Sequence, residues 1–117
     1  MLSFQNPSYL IKESIGTVKL LVERTNGSDG NVSVKWTTKD QTAINGRDFH
    51  GGSGVLTFEH GEQLKYIEIG IVDDKEFEKD ESFLVELSDT TGGVTLGKIK
   101  RTVVTIVNDD GKFLLRK

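Results

Sequence analysis

Between Asp73 and Glu81 the chain reads Asp-Asp-Lys-Glu-Phe-Glu-Lys-Asp-Glu, which puts six of its eighteen acidic residues into one short run. Carboxylates this close repel one another unless basic partners or a cation sit among them. Clustered side-chain oxygens are also what a hard divalent cation takes as ligands. A run of like charge taken alone is most often a solvated face. The setting argues otherwise here: a strand-like stretch from Ile67 to Val72 leads in and another from Phe83 to Leu87 leads out. The run is therefore expected to be a loop held at the end of a sheet, and its chemistry depends on whether other loops send oxygens to the same place.

The elements that would hold it are strands. Thr17 to Arg24 alternates, with Val18, Leu20 and Val22 on one face and Lys19 and Glu23 on the other, the period of a half-buried strand. Leu21 on the outer face is the exception. Asn26-Gly27 and Asp29-Gly30 mark a turn, since these dipeptides adopt positive φ at little cost. Asn31 to Thr38 repeats the alternation with Val32, Val34 and Trp36 inward, so the two stretches are expected to form a hairpin and Trp36 to be a core residue. From Asp40 to Gly54 no apolar period is sustained, and this segment reads as a long irregular connection crossing between strands or sheets. Leu56 and Phe58 open the next strand, Glu59 to Glu62 is a turn, and Lys65 to Val72 points Ile67, Ile69 and Ile71 inward. After the acidic loop come Phe83, Val85 and Leu87, then a turn region from Asp89 to Gly97, then a β-branched strand from Thr102 to Val107. With a first strand around Tyr9 to Lys12, about seven short strands follow one another and no helical period is sustained. The pattern predicts an all-β fold, a two-sheet antiparallel sandwich, with a small barrel as the alternative.

A sandwich collects its loops at two ends, so every second connection shares an end. By that count the loop beginning at Asp40, the loop Asp73 to Glu81 and the tail Asn108 to Asp110 lie together, joined by Glu13 if the chain crosses between sheets there. Carboxylates distant in sequence are thereby expected to converge. Each also has a plainer reading: Asp40 as a turn former, Asp48 as an ordinary loop residue, Glu13 as an edge-strand charge, and Glu78 or Glu81 as surface partners of Lys75 or Lys79 contributing under about 1 kcal/mol. His50 and His60 read as surface residues.

Composition narrows the functional classes. A chain of 117 residues is one domain. A formal net charge of −3 leaves no basic excess to cover phosphates, which argues against nucleic-acid binding. No cysteine is present, so disulfides and thiolate metal sites are excluded. No apolar run is long enough to span a bilayer, and no direct membrane insertion is expected. Paired carboxylates could serve acid–base catalysis, but no cleft-forming insertion, nucleophile elbow or phosphate-cradling loop accompanies them. No enzyme and no small-molecule substrate is expected.

Several segments together resemble the Calx-beta family: Glu13 before Gly16; Thr38-Lys-Asp40-Gln-Thr-Ala43 with Gly46-Arg-Asp48-Phe49; Gly54-Val-Leu-Thr-Phe58 with Gly61-Glu62; Ile71-Val-Asp73-Asp74 with Phe77-Glu78 and Asp80-Glu81-Ser-Phe83; and Thr105-Ile-Val-Asn-Asp109-Asp110. The resemblance runs from about Phe4 to Asp110 and implies a single domain over 1–117 with its core at 4–110, residues 111–117 being a linker or the start of a following repeat. It implies an immunoglobulin-like sandwich that binds calcium at one end. Carried over by position, the ligands are Glu13, Asp40, Asp73, Asp74, Glu78, Glu81, Asp109 and Asp110, with the backbone carbonyl of Glu76. Asn108 stands where Asp is frequent but still offers a carbonyl oxygen. Lys75 replaces a third consecutive Asp and is expected to limit how many ions fit. Eight carboxylates against one divalent ion leave most of the charge uncompensated, so more than one Ca2+ is expected, and magnesium suits so irregular a set less well. The implied partners are neighbouring domains of the same chain. The implied parent is an extracellular, membrane-tethered adhesion protein built of tandem repeats, which the short Asp89 to Gly97 connection resembles. The alternative is the cytosolic regulatory region of a sodium/calcium exchanger, which Glu13 to Gly16 and Arg24 to Gly27 resemble.

Overall fold

In a computed structural model, residues 1–73 and 79–107 are described. They form nine strands: β1 (Leu2–Phe4), β2 (Ser8–Lys12), β3 (Thr17–Arg24), β4 (Val32–Asp40), β5 (Phe49–His50), β6 (Ser53–Phe58), β7 (Leu64–Ile71), β8 (Glu81–Thr91) and β9 (Arg101–Val107), with one 3-10 turn at Glu13–Ile15. Two sheets face each other, one ordered β1-β3-β7-β5 and the other β2-β9-β8-β4-β6. The fold is the expected all-β sandwich. Its core is built from the alternating residues: Val18, Leu20 and Val22 of β3 and Ile67, Ile69 and Ile71 of β7 are buried against Val32 and Val34 of β4, Phe83, Val85 and Leu87 of β8, and Val104 and Ile106 of β9. Each such side chain contributes about 1.5–3 kcal/mol by leaving water.

Four details depart from the sequence expectation. First, β3 and β4 form no hairpin. β3 pairs with β1 and β7, whereas β4 pairs with β6 and β8 in the other sheet. Alternation fixes the inward face of a strand but not its neighbour, and the intervening segment is too long for a tight two-residue turn. It carries the chain across the sandwich, with left-handed φ at Asn26 (61°) and Gly27 (117°). The Arg24 guanidinium holds it in place by donating to the carbonyls of Asp29 and Gly30, the latter at 2.8 Å. Second, the sandwich is not wholly antiparallel. β2 runs parallel to β9, from Ser8↔Val103 to Lys12↔Val107, because no hairpin joins the two and their directions are free of that constraint. Third, β8 is longer than expected, running through the turn region to Thr91. A register shift between Ser33 and Lys35 accompanies a left-handed Asp89 (φ 50°), the signature of a bulge. Fourth, Trp36 is half-buried. It packs on the core from its margin, over Gly54, where an added Cβ would lie 2.9 Å from the indole.

The segment expected to be an irregular connection does cross between sheets. It leaves β4 in one sheet, contributes the two residues of β5 to the other, and returns as β6 to the first. Phe49 of β5 is fully buried and stacks on Phe83 of β8, with ring centroids 3.8 Å apart and planes 8° from parallel. That stack joins the two sheets beside the end toward which the acidic residues run.

Candidate metal centre

Strand register decides which loops meet. Lys12 pairs with Val107, so the 3-10 turn carrying Glu13 begins where β9 ends. Glu81 opens β8 opposite Ile106, and Asp40 closes β4 opposite Phe83. On the other sheet, Thr17 pairs with Gly70 and Phe49 with Ile71. The Ile71 N–H donates to the Gly16 carbonyl at 2.9 Å, and the Val72 N–H donates to the Asp48 carbonyl at 3.0 Å. Glu13, Asp40, Asp48, Asp73 and Glu81 therefore belong to the same end of the sandwich. The remaining expected ligands, Asp74, Glu76, Glu78, Asn108, Asp109 and Asp110, and with them Lys75, lie outside the described residues.

The loop after β4 is fixed by its own aspartates. Asp40 Oδ1 accepts from the Asn45 N–H at 3.1 Å, and Asp48 Oδ2 accepts from the Ile44 N–H at 2.8 Å. These side chains replace the ladder that an irregular segment lacks. The loop is tied to β8 as well: the Ala43 N–H donates to the Ser82 carbonyl at 2.9 Å, and the Ser82 N–H donates to Thr42 Oγ1 at 2.8 Å.

Two residues carry more of the local electrostatics than their sequence positions suggest. Asp48 is only 6% exposed and Glu13 only 5%, which removes the readings of an ordinary loop residue and a plain edge charge. Arg47 lies against Asp48, its Nε and Nη2 each 3.2 Å from Oδ2, and Nη2 also reaches Glu81 Oε1 at 3.5 Å. The Glu81 carboxyl is pushed above the usual carboxylate range, first by burial and then by the charge of Asp48, with Arg47 offsetting part of the effect. Glu81 thus pairs with an arginine from another loop and not with Lys79. Neither Arg47 nor Asp48 was visible as a site residue because their stretch has no period from which an orientation could be read.

The chemistry of this end suits a hard divalent cation. Its donors are carboxylate and backbone oxygens, and carboxylates held near one another raise the affinity of a shared positive charge. Among the described residues, no three Asp, Glu, His or Cys side chains approach closely enough to hold an ion by themselves. His50, in β5, and His60 are exposed; His60 Nδ1 accepts from the Gly30 N–H at 3.0 Å, a turn contact at a different place.

An immunoglobulin-like sandwich with carboxylates from separate loops at one end defines a class of small binding modules. This chain belongs to the Calx-beta family, whose model matches residues 1–110. It is 38% identical over 108 residues to the adhesion G-protein coupled receptor V1 of Danio rerio, a match covering 90% of this chain and 2% of that protein. It is 33% identical over 114 residues to sodium/calcium exchanger 1 of Rattus norvegicus, covering 97% of this chain and 11% of that protein. Among solved structures, the calcium binding domain CBD12 of CALX1.1 superposes with a TM-score of 0.90 at 33% identity, over 94% of this chain and 45% of that one. The chain thus spans a small fraction of the length of the curated relatives it matches. Among the described residues, no helix is long and apolar enough to cross a membrane.

Proposed function

We propose that the domain is a calcium-binding module and not an enzyme. Its ligands would be Glu13, Asp40, Asp73 and Glu81, completed by Asp74, Glu78, Asn108, Asp109, Asp110 and the Glu76 carbonyl. More than one ion would be taken up. The observation that carries this reading is the register: β2 against β9, β4 against β8 and β3 against β7 bring carboxylates from three separate segments, the turn at Glu13, the loop after β4 and the two ends of the β7–β8 loop, to one end. The solved calcium binding domain that superposes on this chain supports the same assignment. A bound cation would supply the positive charge that lets these carboxylates approach. Glu13, the one buried residue of its 3-10 turn, would enter from there, while Asp40 and Glu81 would contribute from strand ends already fixed by the ladder. Asp48 would act beneath them by holding the β4–β5 loop through the Ile44 N–H.

In this reading, calcium draws the loops together and stiffens the junction with the neighbouring domain of the same chain. The parent would be an extracellular, membrane-tethered adhesion protein, supported by the higher identity to the adhesion receptor. Regulation of a sodium/calcium exchanger from the cytosol is the second reading, supported by the longer match to the exchanger. Calorimetric titration of chelator-treated domain is expected to show calcium binding together with a calcium-dependent rise in Tm. Absence of both at millimolar calcium would overturn the proposal. Asp73→Asn is expected to weaken binding at least about tenfold, as loss of a charged ligand should. Flanking sequence separates the parents: a signal peptide with further repeats indicates adhesion, and transmembrane segments on both sides indicate the exchanger.

A further inference from the structure

We propose that Arg47 is a tethered competitor of calcium at Glu81, a positioning residue that lowers the affinity of the acidic end. This inference rests on the calcium reading above and concerns how that same site is tuned. The tether is Asp48. It is buried, its Oδ2 accepts from the Ile44 N–H at 2.8 Å, and the same oxygen lies 3.2 Å from both Nε and Nη2 of Arg47. A buried, hydrogen-bonded carboxylate gives the guanidinium a fixed seat, and a planar guanidinium held through two nitrogens points in a defined direction. That direction brings Nη2 to 3.5 Å from Glu81 Oε1.

Glu81 is one of the proposed ligands. An ion that coordinates it must either displace Arg47 from this oxygen or bind beside a fixed positive charge. Both lower affinity. Arginine stays protonated at any physiological pH, so the competition is permanent. In calcium-free protein the same contact partly neutralises two neighbouring carboxylates, Asp48 and Glu81.

The test is calorimetric calcium titration of the wild-type domain, Arg47→Gln, Arg47→Lys, Glu81→Gln and the double variant Arg47→Gln/Glu81→Gln, with Tm of each chelated protein measured alongside. Arg47→Gln is expected to bind calcium about two- to fivefold more tightly, the range for releasing one exposed ion pair. Arg47→Lys is expected to restore most of the wild-type affinity. In the Glu81→Gln background, Arg47→Gln is expected to give no further gain. A merely structural Arg47 would change Tm and leave affinity equal or weaker, and that result overturns the inference while leaving the calcium reading intact. A gain that persists in the Glu81→Gln background also overturns it. If neither wild type nor Arg47→Gln binds at about 10 mM calcium, beyond the range of weak extracellular modules, both proposals fall. If Arg47→Gln alone binds, the competitor is upheld and calcium binding by the natural chain is refuted.

Discussion

Phe49→Ala offers the sharpest test of how the acidic end is built. Phe49 is fully buried, and β5, the strand that carries it, has only two residues, paired to Ile71 and Gly70. Two ladder pairs cannot hold a strand of this length, so the ring itself is the anchor, stacked on Phe83 at 3.8 Å across the sandwich. Truncation removes the apolar burial and leaves a cavity, at a cost of about 3–5 kcal/mol. Of that, about 0.5–1.5 kcal/mol belongs to the aromatic pair. Against a total of about 5–15 kcal/mol for a domain of this size, the loss lowers Tm by on the order of 15–30 °C. Urea denaturation should show a lower midpoint with an unchanged m value. The functional consequence separates this site from the rest of the core. Asp48 precedes Phe49 and accepts from the Val72 N–H, one residue before Asp73. The milder Phe49→Leu should therefore weaken calcium binding at a temperature where it remains folded. Phe58→Leu, fully buried at the far end opposite Val32, should cost comparable stability with calcium affinity unchanged. A loss below about 1 kcal/mol for Phe49→Ala, or equal effects of the two Leu variants on affinity, would refute this account of the anchor.

Three other outcomes follow from single residues. Asp48→Ala should reduce stability by about 1 kcal/mol, because the part-buried Ile44 N–H loses its acceptor, and urea unfolding without calcium measures it. Thr102→Val should stabilise by about 1 kcal/mol. Thr102 is fully buried and its Oγ1 has no hydrogen-bond partner among the described residues, so a near-isosteric methyl removes a desolvated hydroxyl and Tm should rise by several degrees. Arg24→Met should keep the buried stem, lose the bonds to the Asp29 and Gly30 carbonyls, and cost about 2 kcal/mol. Calcium titration of the same variant should match wild type, since the β3–β4 crossing lies at the opposite end.

The inward faces were legible because burial follows alternation residue by residue. Val18-x-Leu20-x-Val22 and Ile67-x-Ile69-x-Ile71 need no knowledge of topology to be placed inside. Partner choice was not legible. The β3–β4 pair looked like a hairpin because both strands alternate and turn dipeptides join them, yet the Arg24 contacts that turn the link into a crossing depend on the folded backbone. β1 and β5 escaped notice for a different reason: three and two residues are too few to display a period. The same limit hid the site residues Arg47 and Asp48. Asp40 and Glu81, by contrast, stood in connections that a count of alternate loops assigns to one end whatever the strand partners, and the structure has both at one end.

The direction of the chain gives that end its mechanical importance. Leu2 sits opposite Arg24 and donates its N–H to the Thr95 carbonyl at 2.9 Å, at the end away from the carboxylates. Val107 sits opposite Lys12, at the acidic end. The backbone therefore enters the sandwich at one pole and leaves it at the other, and whatever continues past Val107 starts among the proposed ligands. An ion binding Glu13 and Asp109 would join the turn after β2 to the segment that follows β9, and the two strands themselves pair in parallel register up to Lys12 and Val107. Ordering at that junction would act on the exit path itself, with no relay through the core. Arg47 approaches the same junction from the β4–β5 loop through Glu81, so affinity for the ion and stiffness of the exit would change together when that contact is removed.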